Sequence, residues 1–185
     1  MGQNHCMGMD VAFFSAPSDA AAAEAERRPG APLGWPVQVG TRKAGWFRKE
    51  AVLEEAGAAF DGFAARGYDG VVNMGTLEEL LTGVPYDRLG EDPRWGGEVS
   101  DGEAPENCGV LSLTDTLRDA LATAPDGLLE EIVGSWAQTE ELAPKDGGAP
   151  TRDDLDAHLN FLHELRDLAV RAYTNGHHLY WYFQV

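Results

Sequence analysis

The chain has 185 residues and a formal net charge of -17, from 31 acidic and 14 basic residues. Its length suits one domain, and a hydrophobic fraction of 43% is enough for a core without a disulfide or metal staple. So negative a field repels phosphate backbones and anionic lipid. The composition therefore argues against nucleic-acid and membrane-surface binding, and it favours basic partners.

Cysteine use and hydropathy predict a cytoplasmic protein. The two widely separated thiols, Cys6 and Cys108, form neither a disulfide framework nor a metal knuckle. The first residues lack a basic region, and no apolar run approaches the ~20 residues of a membrane span. Since Met7 is a second candidate start after Met1, we predict a flexible extension over residues 1–6 and a single domain over residues 7–185.

The first half of the chain predicts alternating strands and helices, assigned from the spacing of apolar side chains. The expected elements are a strand over 9–14, a helix over 19–28 capped by Ser18, a brief edge strand within 35–39, a helix over 47–66 ended by Gly67, and a strand over 68–74. Thr76 with Glu79 then predicts a capping box, which opens a short helix ending by Gly83.

The second half contains the clearest patterns. The expected elements are a strand over 109–113, helices over 115–124, 128–136 and 151–173, and a strand over 178–185. Thr151 with Asp154 predicts a second capping box, and Gly176 marks the end of the long helix. The last strand has apolar side chains at alternate positions and tyrosines between them, so we expect both of its faces to be covered. Two acidic stretches, residues 85–107 and 139–150, show no sustained periodicity.

Both ends of the chain resemble the YfbM-like family of small bacterial proteins. The likeness lies in Met7-Gly8-Met9 leading into an aromatic strand, and in a long helix followed by Asn175-Gly176 and a terminal aromatic strand. The resemblance implies a compact α+β fold in which the terminal strands share a sheet, and it implies no activity or catalytic residue. We therefore expect a single α+β domain with a small mixed sheet, which includes both terminal strands and is packed by several helices.

A basic segment interrupts the acidic chain at residues 42–49. It holds four of the fourteen basic residues, next to two aromatic ones. Arg42, Lys43, Trp46 and Arg48 are the candidate ligands for an anion or a planar molecule. The alternative is that these cations neutralise neighbouring carboxylates.

The acidic stretch 85–107 is the candidate surface for a basic protein partner. A loop of this length without periodicity is either functional or mobile. Glu91, Asp92 and Glu98 supply charge, and Trp95 is a candidate hot-spot residue. Alternatively, the Trp95 side chain packs into the domain as an anchor.

His177 and His178 are the only adjacent histidines, and imidazole is a ligand for Zn, Ni or Cu. Neighbours in a strand point to opposite faces, so the alternative is an ordinary polar helix-to-strand turn. The sequence contains no nucleophile elbow, phosphate-binding loop or dinucleotide fingerprint, and we expect no cofactor. The leading hypothesis is a non-enzymatic, acidic interaction protein, for example an immunity-type protein. The alternative is a small-molecule or anion-binding protein, or an enzyme, that uses residues 42–49.

Overall fold

A four-stranded antiparallel sheet lies at the centre of the molecule, in a computed structural model that describes residues 10–44, 49–100, 107–145 and 147–185. The strands are β1 (Asp10–Ala16), β2 (Val37–Lys43), β3 (Lys49–Glu54), β4 (Asp61–Ala64), β5 (Cys108–Ser112) and β6 (His178–Gln184). The helices are α1 (Asp19–Arg27), α2 (Val72–Thr82), α3 (Tyr86–Leu89), α4 (Asp115–Thr123), α5 (Leu128–Trp136) and α6 (Arg152–Asn175). The α+β fold class is confirmed. The predicted extension over residues 1–6 lies outside the described residues.

The sheet order is β4-β1-β6-β5, so the first and last strands lie side by side, as predicted. Every pairing in it is antiparallel, and the expectation of a mixed sheet is wrong. The reason is the connection between β5 and β6, which contains three helices, α4, α5 and α6. It returns to the end of the sheet where β5 finishes, since the Leu113 amide donates to Leu179 O at 3.0 Å, and β6 therefore runs opposite to β5. A single crossover helix would have made the pair parallel.

The two faces of the sheet carry separate cores, and β6 contributes to both. Leu179 and Trp181 face the larger core, while Tyr180 and Tyr182 face the smaller one, which confirms the predicted alternation. Helices α2, α4, α5 and α6 cover the larger core, and α1 covers the smaller one. The larger core includes Val11, Phe13, Met74, Leu77, Leu117, Leu121, Trp136, Leu162, Leu165 and Leu168. The smaller core includes Ala12, Phe14, Ala22, Ala25 and Val110.

Helix α6 begins and ends where the sequence predicts. The Thr151 hydroxyl accepts the Asp154 amide at 3.2 Å, and the Asp154 carboxylate accepts the Thr151 amide at 2.9 Å, which completes the capping box. Gly176 ends the helix in the left-handed region, at φ 66°. Between these caps, Leu162, Leu165 and other apolar side chains are buried. Each large side chain of this kind stabilises the fold by about 2 kcal/mol.

The predicted helix over residues 47–66 is wrong, because this segment forms β3 and β4. Phe60 and Phe63 have helical spacing, yet their rings pack on opposite faces of the sheet. Phe60 contacts Phe14 at a centroid distance of 5.1 Å, and Phe63 contacts Phe13 at 5.8 Å. Gly57 interrupts the segment at φ 73°, a conformation that no helix interior accepts.

The expected strand over residues 68–74 and the capping box at Thr76 are also wrong. Helix α2 begins earlier, because the Asp69 carboxylate accepts the amides of Val71 and Val72, each at 2.7 Å. Thr76 lies inside the helix, where its hydroxyl donates to the Asn73 carbonyl at 3.0 Å. The predicted end of the helix is confirmed, since Gly83 adopts φ 73°.

The acidic stretch after Gly83 is ordered as far as the structure describes it, up to residue 100. It contains α3, and its residues 96–99 pair with the outer edge of β5. The amide of Val99 donates to Val110 O at 3.1 Å, and the amide of Ser112 donates to Gly97 O at 2.8 Å. This segment therefore covers a sheet edge that would otherwise present unpaired backbone groups.

Strands β2 and β3 form a separate two-stranded hairpin, which we call the arm (Val37–Glu54). Within the described chain, neither strand packs against any other helix or strand. The base of the arm is closed by Gly34 at φ 69°, where a Cβ atom would lie 2.2 Å from the Gly57 carbonyl carbon. The predicted edge strand is thus longer than expected, and it belongs to its own sheet. Val39 and Leu53 are 57% and 59% exposed on this arm.

Candidate functional site

A cavity lies between the C-terminal end of α1 and the end of the central sheet where β1 and β5 begin and β6 finishes. It measures about 530 Å³ and is lined by Glu26, Trp35, Cys108 and Tyr182, together with the charged residues Asp10, Arg27 and Arg28. We call it the Glu26 cavity. Pocket volumes of this size are typical of small-molecule sites. None of these residues was predicted as a site.

Glu26 is a buried carboxylate, 5% exposed, on the face of α1 that packs against the sheet. Its Oε1 atom accepts the amide of Val110 at 2.8 Å, and so caps the outer edge of β5. Its Oε2 atom is buried and has no hydrogen-bond partner among the described residues. One oxygen of this carboxylate therefore accepts a hydrogen bond from the sheet. The other oxygen has no described partner, and the Glu26 side chain lines the cavity. A sequence signal existed, because Glu26 shares helical spacing with the buried Ala22 and Ala23.

The Cys108 thiol and the Tyr182 phenol in this cavity are neutral at pH 7. Burial raises the pKa of the Cys108 thiol and the Glu26 charge raises it further, while a hydrogen bond with Tyr182 opposes both. Burial also raises the pKa of the Tyr182 phenol, whose hydroxyl donates to Gln184 Oε1 at 3.1 Å. A thiol held in this way is a poor nucleophile, because the thiolate is the reactive form. The cavity therefore favours ligand binding over chemistry at the Cys108 thiolate.

A second polar cluster lies at the N-terminal end of α1, against β6 and the segment that pairs with β5. Arg94 donates from Nη1 to Asp19 Oδ1 at 2.8 Å, and its guanidinium lies 5.4 Å from the centroid of the Tyr180 ring. The Tyr180 hydroxyl also donates to Asp19 Oδ1, at 2.8 Å. Burial acts to raise the pKa of Asp19, but the hydrogen bonds from Arg94 and Tyr180 prevail and lower it. These contacts tie α1, β6 and the segment after α3 together, so we interpret the cluster as structural.

The two adjacent histidines point to different partners. His178 Nδ1 lies 2.7 Å from Asp115 Oδ1, which also accepts from Arg118 Nη1 at 3.0 Å. His177 lines a separate cavity that also contains Asn175. Among the described residues, no group of three or more histidine, cysteine or acidic side chains is placed to hold a metal ion. The structure thus does not bring His177 and His178 together around a common point.

Of the predicted partner-binding residues, Trp95 contacts Tyr86 of α3, and carboxylates from two loops lie near the same tyrosine. Burial raises the pKa of Tyr86, and the nearby charges of Glu141 and Asp69 raise it further. We call this surface the acidic face. It comprises Asp69, Asp87, Glu91, Asp92 and Glu141.

Trp95 acts as the anchor of the segment that follows the acidic face. Its half-buried ring meets the Tyr86 ring edge-to-face at 5.5 Å, and a Cβ atom on Gly75 of α2 would lie 3.3 Å from its Nε1 atom. Asp92 accepts the Arg94 amide at 2.8 Å and so shapes the turn. Glu98 is exposed and pairs through its backbone with Leu111 of β5.

The predicted anion-binding residues lie on the arm. Arg42 pairs with Glu50 on the neighbouring strand at 3.3 Å, and both side chains are largely exposed. Lys43 lies directly opposite Lys49 in the strand register. Trp46 and Arg48 lie outside the described residues. The two lysines at the end of the described ladder thus place like charges side by side, which destabilises a strand pair.

Comparisons of the chain with protein-family models, curated proteins and solved structures find no match. The resemblance to the YfbM-like family therefore stays a prediction. In the part of the chain that the structure describes, no helix combines the length and the apolar composition needed to cross a membrane.

Proposed function

We propose that this protein is a cytoplasmic, non-catalytic binding protein for a basic protein partner, which docks on the acidic face. The observation that carries the proposal is that the carboxylates of Asp69 and Glu141, from two separate loops, lie near the half-buried Tyr86 of the acid-rich segment. Interfaces place aromatic side chains at their centre and charged groups at their rim. Such a surface attracts a basic partner over several ångströms and orients its approach.

The arrangement of the cations supports the same proposal. Most arginines outside the arm already pair with carboxylates of the body, so they do not compensate the remaining acids. The pairs are Arg66–Asp10, Arg88–Glu91, Arg94–Asp19, Arg118–Asp119, Arg152–Asp156, Arg166–Asp126 and Arg171–Asp61. The chain has 31 acidic and 14 basic residues, and among the acidic residues that the structure describes only Glu26 and Glu78 are buried.

Exposed apolar side chains lie beside these charges. Leu80, in the last turn of α2, is 37% exposed, and Val84, just before α3, is 38% exposed. Apolar contacts around the aromatic centre of a protein interface exclude water, while the surrounding charges set specificity and association rate.

Affinity capture from the native host tests the proposal, with the purified chain immobilised at low ionic strength. We expect a stoichiometric basic protein that is retained by the wild type and released by salt, since screening weakens a charged interface. The triple variant Asp87→Asn, Glu91→Gln, Glu141→Gln should no longer retain this basic protein. A matched control, Glu24→Gln, Glu55→Gln, Asp167→Asn, removes the same charge from exposed sites elsewhere and should retain it. Equal retention by the two triple variants would refute docking on the acidic face.

A second candidate function, anion binding by the arm, is favoured by the opposed Lys43 and Lys49. Neither lysine has a carboxylate partner among the described residues, whereas Arg42 is paired. Titration with inorganic pyrophosphate, followed by amide NMR shifts, tests it. We expect the shifts to concentrate on β2 and β3 and to disappear in Lys43→Gln, Lys49→Gln. They should persist in Lys145→Gln, which changes the remaining lysine of the chain.

A further inference from the structure

We propose that the Glu26 cavity binds a small primary amine that also carries an acidic group, the chemistry of an α-amino acid. The ammonium group pairs with the Glu26 carboxylate, and the acidic group faces Arg27 and Arg28, which also line the cavity. This site uses no residue of the acidic face, so it is independent of the partner proposed above.

The unsatisfied oxygen of Glu26 defines the inner end of the site. A buried carboxylate oxygen without a donor is unfavourable, and a ligand N–H group is the missing partner. The fold itself supplies only one donor to this side chain, the amide of Val110 at 2.8 Å. An ammonium group matches a carboxylate better than a neutral donor does, since charge-assisted hydrogen bonds are the stronger ones.

The end of helix α1 adds to the preference for a cation. Glu26 lies in the last turn of α1, which ends at Arg27. The free carbonyl groups at a helix C-terminus carry partial negative charge, and cations near them are stabilised. The helix and the carboxylate therefore act in the same direction at the inner end of the cavity.

Two aromatic rings form a wall of the cavity. The ring centroids of Trp35 and Tyr182 lie 5.8 Å apart, with an interplanar angle of 57°. The face of an aromatic ring attracts an ammonium group, and its apolar surface accommodates an aliphatic or aromatic side chain. This wall explains how a small ligand gains apolar contact beside a buried charge.

The cavity lining also carries positive charge. Asp10 lines the cavity too, but its carboxylate pairs with Arg66 at 2.9 Å. Arg27 and Arg28 contribute the positive charge, and both side chains are exposed. They disfavour a simple polyamine, because a second ammonium group would meet like charge. They favour a carboxylate at the outer end of the ligand, since a guanidinium binds a carboxylate through two parallel hydrogen bonds. The two ends of the cavity thus select a zwitterion.

Calorimetric titration of the full chain with single amino acids tests the proposal. Glycine, alanine, leucine and phenylalanine are the probes, and each N-acetyl counterpart lacks the ammonium group. We expect at least one amino acid to bind and its N-acetyl form not to bind. n-Butylamine, which lacks the acidic group, should bind more weakly than the best amino acid. The absence of binding by all four amino acids at about 10 mM, beyond the millimolar range of weak ligands, would overturn the proposal, and so would equal binding of an acetylated form.

Variants on α1 locate the site. Glu26→Gln keeps an oxygen for the Val110 amide but replaces the acceptor that the ammonium needs. We expect it to lose at least about tenfold in affinity, the loss typical of a charge-assisted hydrogen bond. Glu24→Gln, on the exposed face of the same helix, should bind as the wild type does. Should Glu26→Gln fail to fold by circular dichroism, Arg28→Gln serves instead, and it should weaken the amino acid while leaving n-butylamine unchanged. Full affinity in either cavity variant contradicts the assignment.

Discussion

At the scale of single residues, the pair of Tyr68 and His158 shows how burial sets a protonation state. The Tyr68 hydroxyl lies 2.9 Å from His158 Nδ1, and the Phe161 ring stacks on Tyr68 at a centroid distance of 3.8 Å. Burial raises the pKa of Tyr68 to about 12. Burial also lowers the pKa of His158, against the opposing charge of Asp154. Both side chains are therefore neutral in the folded protein at pH 7.

This lowered pKa predicts a loss of stability in mild acid. In the unfolded chain the imidazole of His158 titrates near its ordinary value of 6.5, while in the fold it stays neutral to lower pH. Below that value the unfolded state binds more protons, so the free energy of unfolding falls as the pH drops from 7 through 6.5 toward the folded pKa. Urea denaturation at pH 7.5 and pH 5.5 measures this fall.

The contribution of His158 is isolated by a matched pair of variants. His158→Gln removes the titrating group and should lose less stability between the two pH values than the wild type does. The control, His163→Gln, changes a more exposed histidine that lies 3.6 Å from Glu130. This variant should lose as much stability between the two pH values through His158 as the wild type does. An unchanged pH dependence in His158→Gln would contradict the prediction.

At the scale of elements, two helical glycines have different surroundings. A Cβ atom on Gly75 of α2 would lie 2.5 Å from Cε2 of Tyr86, whereas one on Gly134 of α5 would meet nothing within 4 Å. Alanine favours a helix interior over glycine by about 1 kcal/mol. We therefore expect Gly134→Ala to raise the free energy of unfolding by about that amount.

Gly75→Ala should not gain this stability, because the Tyr86 ring would have to move. Overpacking typically costs about 1–3 kcal/mol, so we expect the variant to be no more stable than the wild type. Urea denaturation of both variants measures the difference. Equal stabilisation by the two substitutions would mean that Tyr86 and α3 move away from α2 without a loss of stability. The acidic face would then not be packed firmly against α2.

Local signals account for the elements that the sequence predicted correctly. Ser18 and Thr151 cap their helices through contacts with residues three positions away, and β6 alternates along its own length. The helix predicted over residues 47–66 is wrong because the structure of this segment depends on residues that are distant in the chain. Gly62 of β4, for example, lies so close to β1 that a Cβ atom would be 2.4 Å from the Phe13 carbonyl oxygen. No local pattern contains that pairing.

The candidate sites divide in the same way. The acid-rich stretch and the basic segment were visible as charge clusters in the sequence. The Glu26 cavity was not, because it joins α1, β5, β6 and Trp35, which are far apart in the chain. Only the position of Glu26 among buried alanines could have indicated it.

At the scale of the whole molecule, the arm is separable from the body. Val37 and Glu54 lie opposite each other at its base, so a two-residue Asn-Gly link can join Pro36 to Glu55 in its place. Since neither strand of the arm packs on another described element, we expect the shortened chain to fold. Its free energy of unfolding should change by no more than about 1 kcal/mol, because a shorter connection costs less closure entropy.

Two measurements check this prediction. Urea denaturation gives the stability, and amide NMR shows whether residues of β1 and β6 keep their chemical shifts. A shortened chain that is unfolded or aggregated would show that the body needs the arm. If it folds, the same protein is a direct test of anion binding, which it should have lost.

The position of β6 also governs when the fold can form during translation. The strand lies between β1 and β5, although it follows every other strand that the structure describes. Until the ribosome has released residues 178–184, β1 and β5 have no neighbour to bridge them, and the nascent polypeptide exposes both apolar layers. Docking of this strand on β1 therefore closes a loop of more than a hundred residues in one late step, a kind of topology that folds slowly. A nascent chain stalled before that point is expected to engage chaperones instead of adopting the native state.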